Sequence, residues 1–193
     1  MRYILLCSLI FWTFSCSTTP TVEVQVPRDP SQDRQYFPVY QKHTSYQEVI
    51  HKFATHYTVH VTRLGPEFRT ALGERYQKIF NEPQPILGEV TAKTGFFVSL
   101  FVANPEFRDL TDQNIWNIQL KTGDEISKPV LVQRLPQKEK WRPFFPGIGP
   151  WSEEYLILFD QAPGSADGPH ELLHTVSSEL ILNSSLGRVI LPW

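Results

Sequence analysis

Near the end of the chain stands His170-Glu171-Leu172-Leu173-His174. On a helix, two histidines four residues apart share a face and can ligate one Zn²⁺, while the glutamate between them polarises the metal-bound water. The chemistry would be metal-assisted hydrolysis, with His170 and His174 as ligands, Glu171 as general base and zinc as cofactor. Such a site needs a helix to align the imidazoles and a third ligand from another element. Pro169 suits a first helical turn, but from Thr175 onward Val176, Ser178, Leu180 and Leu182 alternate as a strand does. Downstream, the carboxylate of Glu179 lies too close to His174 to come from a separate element. The reading preferred here is a strand or loop whose histidines pack or point outward, without a cofactor.

Other chemistry finds less support. His43, His51, His56 and His60 form a looser group, read as surface or core histidines, with His60 pointing outward because it alternates with the apolar Val59 and Val61. No Gly-x-Ser-x-Gly elbow and no glycine-rich phosphate loop occur. Glu153-Glu154 and Asp124-Glu125 read as solvated turn charges, since neighbours on a strand face opposite ways. A formal net charge of −2, from 18 Lys+Arg against 20 Asp+Glu, gives nucleic acid no basic surface to meet. The most unusual stretch is Trp141-Arg142-Pro143-Phe144-Phe145-Pro146-Gly147-Ile148-Gly149-Pro150-Trp151. Its prolines forbid an ordinary strand. Either it folds over one end of the core, the expected outcome, or it stays wet as a rigid aromatic surface. In the second case Trp141, Phe144, Phe145, Ile148 and Trp151 are the candidate interaction surface for a protein or glycan partner.

The elements that position these residues follow from periodicity. Ser45-Tyr46-Gln47-Glu48 has a capping-box pattern and predicts a short helix near 45–55. Tyr57, Val59 and Val61 alternate with polar residues and predict a half-buried strand. Phe68, Leu72, Tyr76 and Ile79 recur at helical spacing after Gly65-Pro66, which predicts a helix over 66–80. Strands are predicted at 96–103, apolar on both faces, around 116–120, at 130–135 and at 155–159, with a hairpin from 179–183 and 188–191. Seven or so short strands with helices near the start imply a mainly β (α+β) fold. The expected architecture is an antiparallel immunoglobulin-like β-sandwich with one or two N-terminal helices inserted. With 41% hydrophobic residues and both cysteines within the first sixteen positions, packing must hold the domain without a disulfide framework.

The N-terminus supplies an address. After Arg2, Ile4 to Phe14 is an apolar run suited to a secretory h-region and short for a bilayer span. It ends at Thr13-Phe14-Ser15-Cys16, which resembles the lipobox of bacterial lipoproteins. The resemblance implies a signal peptide over 1–15 and acylation of Cys16. It also implies attachment to the cell envelope, with Ser17 favouring the periplasmic face of the outer membrane. Pro20, Pro27, Pro30 and Pro38 then suggest that 16–44 is a lipidated N-terminus and flexible tether ahead of one sandwich domain over 45–193. The phrases Pro66-Glu67-Phe68-Arg69, Phe96-Phe97-Val98-Ser99-Leu100 and Trp116-Asn117-Ile118-Gln119-Leu120 are similar to those of uncharacterised envelope lipoproteins, which implies a fold and an address. The His-Glu-x-x-His pattern resembles that of zincin metallopeptidases. Two functions are therefore expected, in this order: a non-enzymatic binding or scaffolding module, membrane-anchored through its lipid, and a lipid-anchored zinc-dependent hydrolase.

Overall fold

Tyr57, Val59 and Val61 point one way along their strand and are fully buried, while Thr58 and His60 between them point the other way and are half-buried. This alternation sets up the molecule, because both faces of that strand's sheet are covered. The computed structural model describes residues 26–84, 88, 90, 92–160 and 177–193. Within them the chain is mainly β, with two antiparallel sheets and few helices. The first sheet has the order β1 (Thr44–His51), β2 (Ala54–Arg63), β3 (Lys93–Val102), β7 (Glu153–Asp160), β6 (Leu131–Arg134). The second has the order β5 (Glu125–Ser127), β4 (Asn117–Thr122), β8 (Ser178–Ser184), β9 (Gly187–Pro192).

The inner faces of the two sheets share one core. Tyr57, Val59, Phe96, Val98, Leu100, Tyr155 and Ile157 from the first meet Ile118, Leu120, Leu180, Leu182 and Leu191 from the second. The central position of β3 explains its apolar run, since its alternate residues enter two different cores. On the outer face of the first sheet, Phe97, Leu156 and Leu158 pack under α1 (Tyr36–Lys42) and α2 (Pro66–Phe80). The helix expected over 66–80 is present with those bounds. Pro66 opens it, Phe68, Leu72 and Tyr76 face the core, and Asn81 closes it in the left-handed conformation at φ 55°. Among the described residues no helix is long and apolar enough to cross a membrane.

Two expectations are corrected. Residues 45–55 form no helix: they lie in β1, in the turn at Lys52 and Phe53, and at the start of β2. Thr44, Tyr46, Val49 and Ile50 suit a pleated strand, and β2 offers a partner in register from Thr44↔Thr62 to Val49↔Tyr57. Glu48, the supposed capping glutamate, accepts a hydrogen bond from Thr55 Oγ1 across the hairpin instead. The stretch to residue 44 is likewise no tether throughout. From Pro30 onward it forms a 3₁₀ turn and then α1, which buries Tyr36 and Tyr40. Pro38 is tolerated because it sits in the first turn, where a backbone N–H has no helical acceptor to lose.

A buried cation ties that segment down. Arg75 of α2 is 2% exposed and donates from Nε to Pro143 O at 2.9 Å, from Nη2 to Pro27 O at 2.7 Å and from Nη1 to the Asp33 carboxylate. Its guanidinium also lies over the Tyr36 ring, 5.1 Å from the centroid. Two distant stretches of chain, 27–36 and the one at Pro143, thus meet on one side chain of α2, which satisfies its charge and most of its donors.

Candidate functional site

Strand register places a polar row across the outer face of the first sheet. Tyr46 of β1 lies opposite His60 of β2, His60 opposite Ser99 of β3, and Ser99 opposite Glu154 of β7. The row begins where the helices stop covering the sheet. Above it runs the Gly147–Ser152 segment, and between segment and sheet opens a cleft of about 230 Å³. Thr58, His60, Ser99 and Phe101 line it from the sheet, and Gly147, Gly149, Pro150, Trp151 and Ser152 from the loop.

The loop is anchored at both ends. Ahead of it a one-turn helix, α3 (Lys138–Trp141), leads into Phe144 and Phe145, both buried. Phe145 stacks on Phe97 with centroids 3.6 Å apart and planes 5° apart, and Phe144 stacks on Tyr76 at 5.2 Å. Gly147 then passes directly over the His60 imidazole: a Cβ there would lie 2.6 Å from His60 Cγ, so only glycine allows this approach. Its N–H donates to Tyr40 Oη at 3.3 Å. At the far end Ser152 Oγ lies 2.6 Å from Glu154 Oε1 and 3.0 Å from Gly149 O. Lys138 Nζ donates to Pro150 O at 3.2 Å. Trp151, held between these fixings, remains 72% exposed.

Glu154 is the electrostatic centre of the floor. It is 1% exposed, and burial pushes its carboxyl above the ordinary value, against the Ser152 hydroxyl, the Lys138 charge and the Ser99 hydroxyl, which pull it down. The raised direction fits the geometry, since Ser152 has one hydrogen and two acceptors beside it; when that hydrogen serves Gly149 O, a protonated Glu154 can donate to Ser152. Ser99 Oγ lies 3.3 Å from Gly147 O and 3.4 Å from Glu154 Oε1. His60, half-buried under the loop and tilted against the Tyr46 ring at 4.6 Å, has its pKa lowered by burial and is neutral at pH 7. Although His60, Ser99 and Glu154 are aligned, no hydrogen bond joins His60 to Ser99, whose hydroxyl turns toward Glu154 and the loop. A serine nucleophile needs a base on that proton. The arrangement builds a hydrogen-bonded polar floor and no activated nucleophile.

The structure divides the aromatic stretch that the sequence singled out. Trp141, Phe144 and Phe145 close the second core, with Trp141 Nε1 donating to Pro136 O at 3.1 Å, and Ile148 packs half-buried against the same cluster. Trp151 alone of the five is freely exposed. The interaction surface therefore loses three of its proposed members, because Phe97 and α2 offer their rings an apolar seat that water does not. Glu154 is corrected too: within β7 it is buried, while Glu153 ion-pairs with Arg134.

His60 does face away from the sandwich core. His51 and His56 meet edge to face at 5.6 Å, and His43 Nε2 lies 3.1 Å from Glu67 Oε2. Among the described residues no three His, Cys, Asp or Glu side chains converge as a metal site would need. Cys16, His170, Glu171 and His174 lie outside the described residues. Sequence reasoning missed Thr58, Ser99, Ser152 and Glu154 as a group. The available signal was the single polar residue, Ser99, inside the apolar run of β3. Comparison with family models, with curated proteins and with solved structures finds no match.

Proposed function

We propose that this chain is an extracytoplasmic lipoprotein, held to a membrane in a bacterial envelope through Cys16, whose domain binds an envelope component at the Trp151 cleft without transforming it. The observation that carries the binding reading is Trp151 itself: an indole 72% exposed over a cleft, in a loop fixed on both sides by buried contacts. Exposing an indole to water forgoes the stabilisation of burying it, and the loop holds it out rigidly, which lowers the entropy cost of gripping a ligand. The floor offers hydrogen bonds and no activated nucleophile, which supports binding over catalysis. The anchoring reading is supported by the apolar run ending at Ser15-Cys16, after which a diacylated cysteine would provide the two chains that stable membrane attachment takes. On this reading the sandwich keeps an immunoglobulin-like outline, two antiparallel sheets over one core, with a strand order of its own, since β1, β2 and β3 lie side by side in one sheet.

Two measurements test the reading. Cells expressing the full chain and fed an alkyne palmitate analogue should label it, and Cys16→Ala should abolish both the label and membrane retention; an unlabelled wild type overturns the anchoring. For the cleft, the Trp151 indole N–H resonance, assigned with Trp151→Phe, should shift when envelope extracts are added. If no fraction of the extract moves that resonance, the cleft is not a binding site.

A further inference from the structure

The cleft's chemistry narrows its ligand, provided the reading of it as a binding site holds. No charged side chain lines it. Glu154 lies beneath the floor under two serine hydroxyls. Glu48, the nearest acid on β1, accepts from Thr55 Oγ1 at 2.5 Å and from Tyr46 Oη at 3.2 Å. Lys138 turns its ammonium onto the carbonyls of Gly149 and Pro150. An ionic ligand, whether phosphate, carboxylate or ammonium, would thus be desolvated with no opposite charge among the side chains lining the cleft.

An extended peptide is disfavoured for a different reason. It binds a sheet protein through free backbone donors and acceptors, and three of the loop's carbonyls already accept bonds: Gly147 O from Ser99, Gly149 O from Ser152 and Lys138, Pro150 O from Lys138. Among the cleft's side chains, what remains open is the Thr58 hydroxyl and the His60 imidazole, neither of which has a hydrogen-bond partner among the described residues, together with the Trp151 and Phe101 rings. A hydroxyl and a neutral imidazole each offer one donor and at least one acceptor. Sugar hydroxyls answer both roles, and the C–H face of a pyranose is the apolar surface that an exposed indole lacks. The cleft would hold about seven or eight waters at ~30 Å³ each, which is the scale of one sugar ring with its substituents.

We propose that the cleft binds a neutral saccharide, with one pyranose ring stacked on Trp151 and its hydroxyls bonded to Thr58 and His60. The neutral state of His60 supports this, because a protonated ring would lose its acceptor. The test uses the full chain in detergent micelles, titrated separately with chitotetraose, maltotetraose, choline and a blocked tetrapeptide, each to about 10 mM, enough to saturate a millimolar site. The readout is the Trp151 indole N–H resonance, with that of Trp193 as internal control. We expect at least one tetrasaccharide to shift the Trp151 resonance saturably, and calorimetry to show binding weakened about tenfold or more by Trp151→Ala and by Thr58→Val. Thermal unfolding of both variants is recorded alongside. Should Thr58→Val fail to fold, Trp151→Ala, a change at the surface, carries the test. If choline or the peptide moves the resonance and the sugars do not, the saccharide assignment falls while the cleft stands as a binding site. If the sugars leave it unmoved and envelope extracts also do nothing, both fall.

Discussion

The outer face of the five-stranded sheet has two halves, built on the same strands and finished in opposite ways. Where Phe97, Leu156 and Leu158 project, α1, α2 and the Phe144-Phe145 pair cover the sheet, and the side chains disappear into an apolar core. Two rows along, where His60, Ser99 and Glu154 project, a thin loop passes over and leaves a cleft. Each aromatic ring sealed into the first half contributes on the order of 1.5–3 kcal/mol, so that half recruits helices. The second half cannot, because its polar atoms need partners; it finds some in the loop and leaves Thr58 and His60 facing water. If the open half is the binding surface proposed above, the contrast separates stability from binding on one surface: substitutions in the sealed half should chiefly cost folding, and those in the open half should chiefly cost binding.

The sharpest way to break this division is at Arg75. Arg75→Ala leaves Asp33 without its cation and unties Pro27 and Pro143, and should lower stability by about 3–5 kcal/mol in urea unfolding. A loss under about 1 kcal/mol would mean that residues 27–42 are not clamped to the domain. Asp33 adds a pH signature. Burial raises its carboxyl, but the Tyr36 and Gln35 backbone N–H groups and the Arg75 cation together hold it below its ordinary 3.8. A depressed carboxylate stabilises the fold above that value and ceases to as pH falls through the lowered one, so wild type should lose stability below about pH 4 more steeply than Asp33→Asn.

Phe145→Ala removes the ring stacked on Phe97 and should cost about 3 kcal/mol by the same assay. Gly147→Ala comes next. Its methyl cannot coexist with His60, and displacing loop or imidazole should cost about 1–3 kcal/mol and move the Trp151 resonance; an unchanged resonance would show that the loop's height over the sheet is not set there. Glu154→Gln should change stability at pH 4 by about 1 kcal/mol or less. It should also alter a slope. A carboxyl raised by burial favours the fold while protonated and loses that contribution as pH climbs from the ordinary 4.5 through the raised value, so wild type should weaken over that interval and the glutamine variant should not. Trp151→Ala should lie within about 0.5 kcal/mol of wild type, since its ring is mostly in water already.

Much of the fold is legible from local pattern. The helix over 66–80 follows from four apolar residues at helical spacing after Gly65-Pro66, and β2, β3, β4, β7 and the final hairpin from alternation or from apolar runs. Such signals are carried by neighbouring residues, so no knowledge of the rest of the chain is needed. The errors at 45–55 and in the stretch to 44 share a cause. A capping-box pattern and a proline are local hints with weak energies, and a strand partner in register or a seat for Tyr36 and Tyr40 outweighs them.

The site was less legible for a related reason. Glu153-Glu154 reads as one acidic pair, yet the sheet and loop bury one carboxyl and leave the other on Arg134. Likewise five apolar residues between 141 and 151 look alike in sequence, and only the position of Phe97 and α2 decides that three are core and one is exposed. By itself the sequence determined a mainly β chain and its periodic elements, because those depend on spacing along the backbone. The tertiary structure alone decided which end of the outer sheet face would be sealed and which left open over a polar floor, because burial is set by segments far apart in the chain.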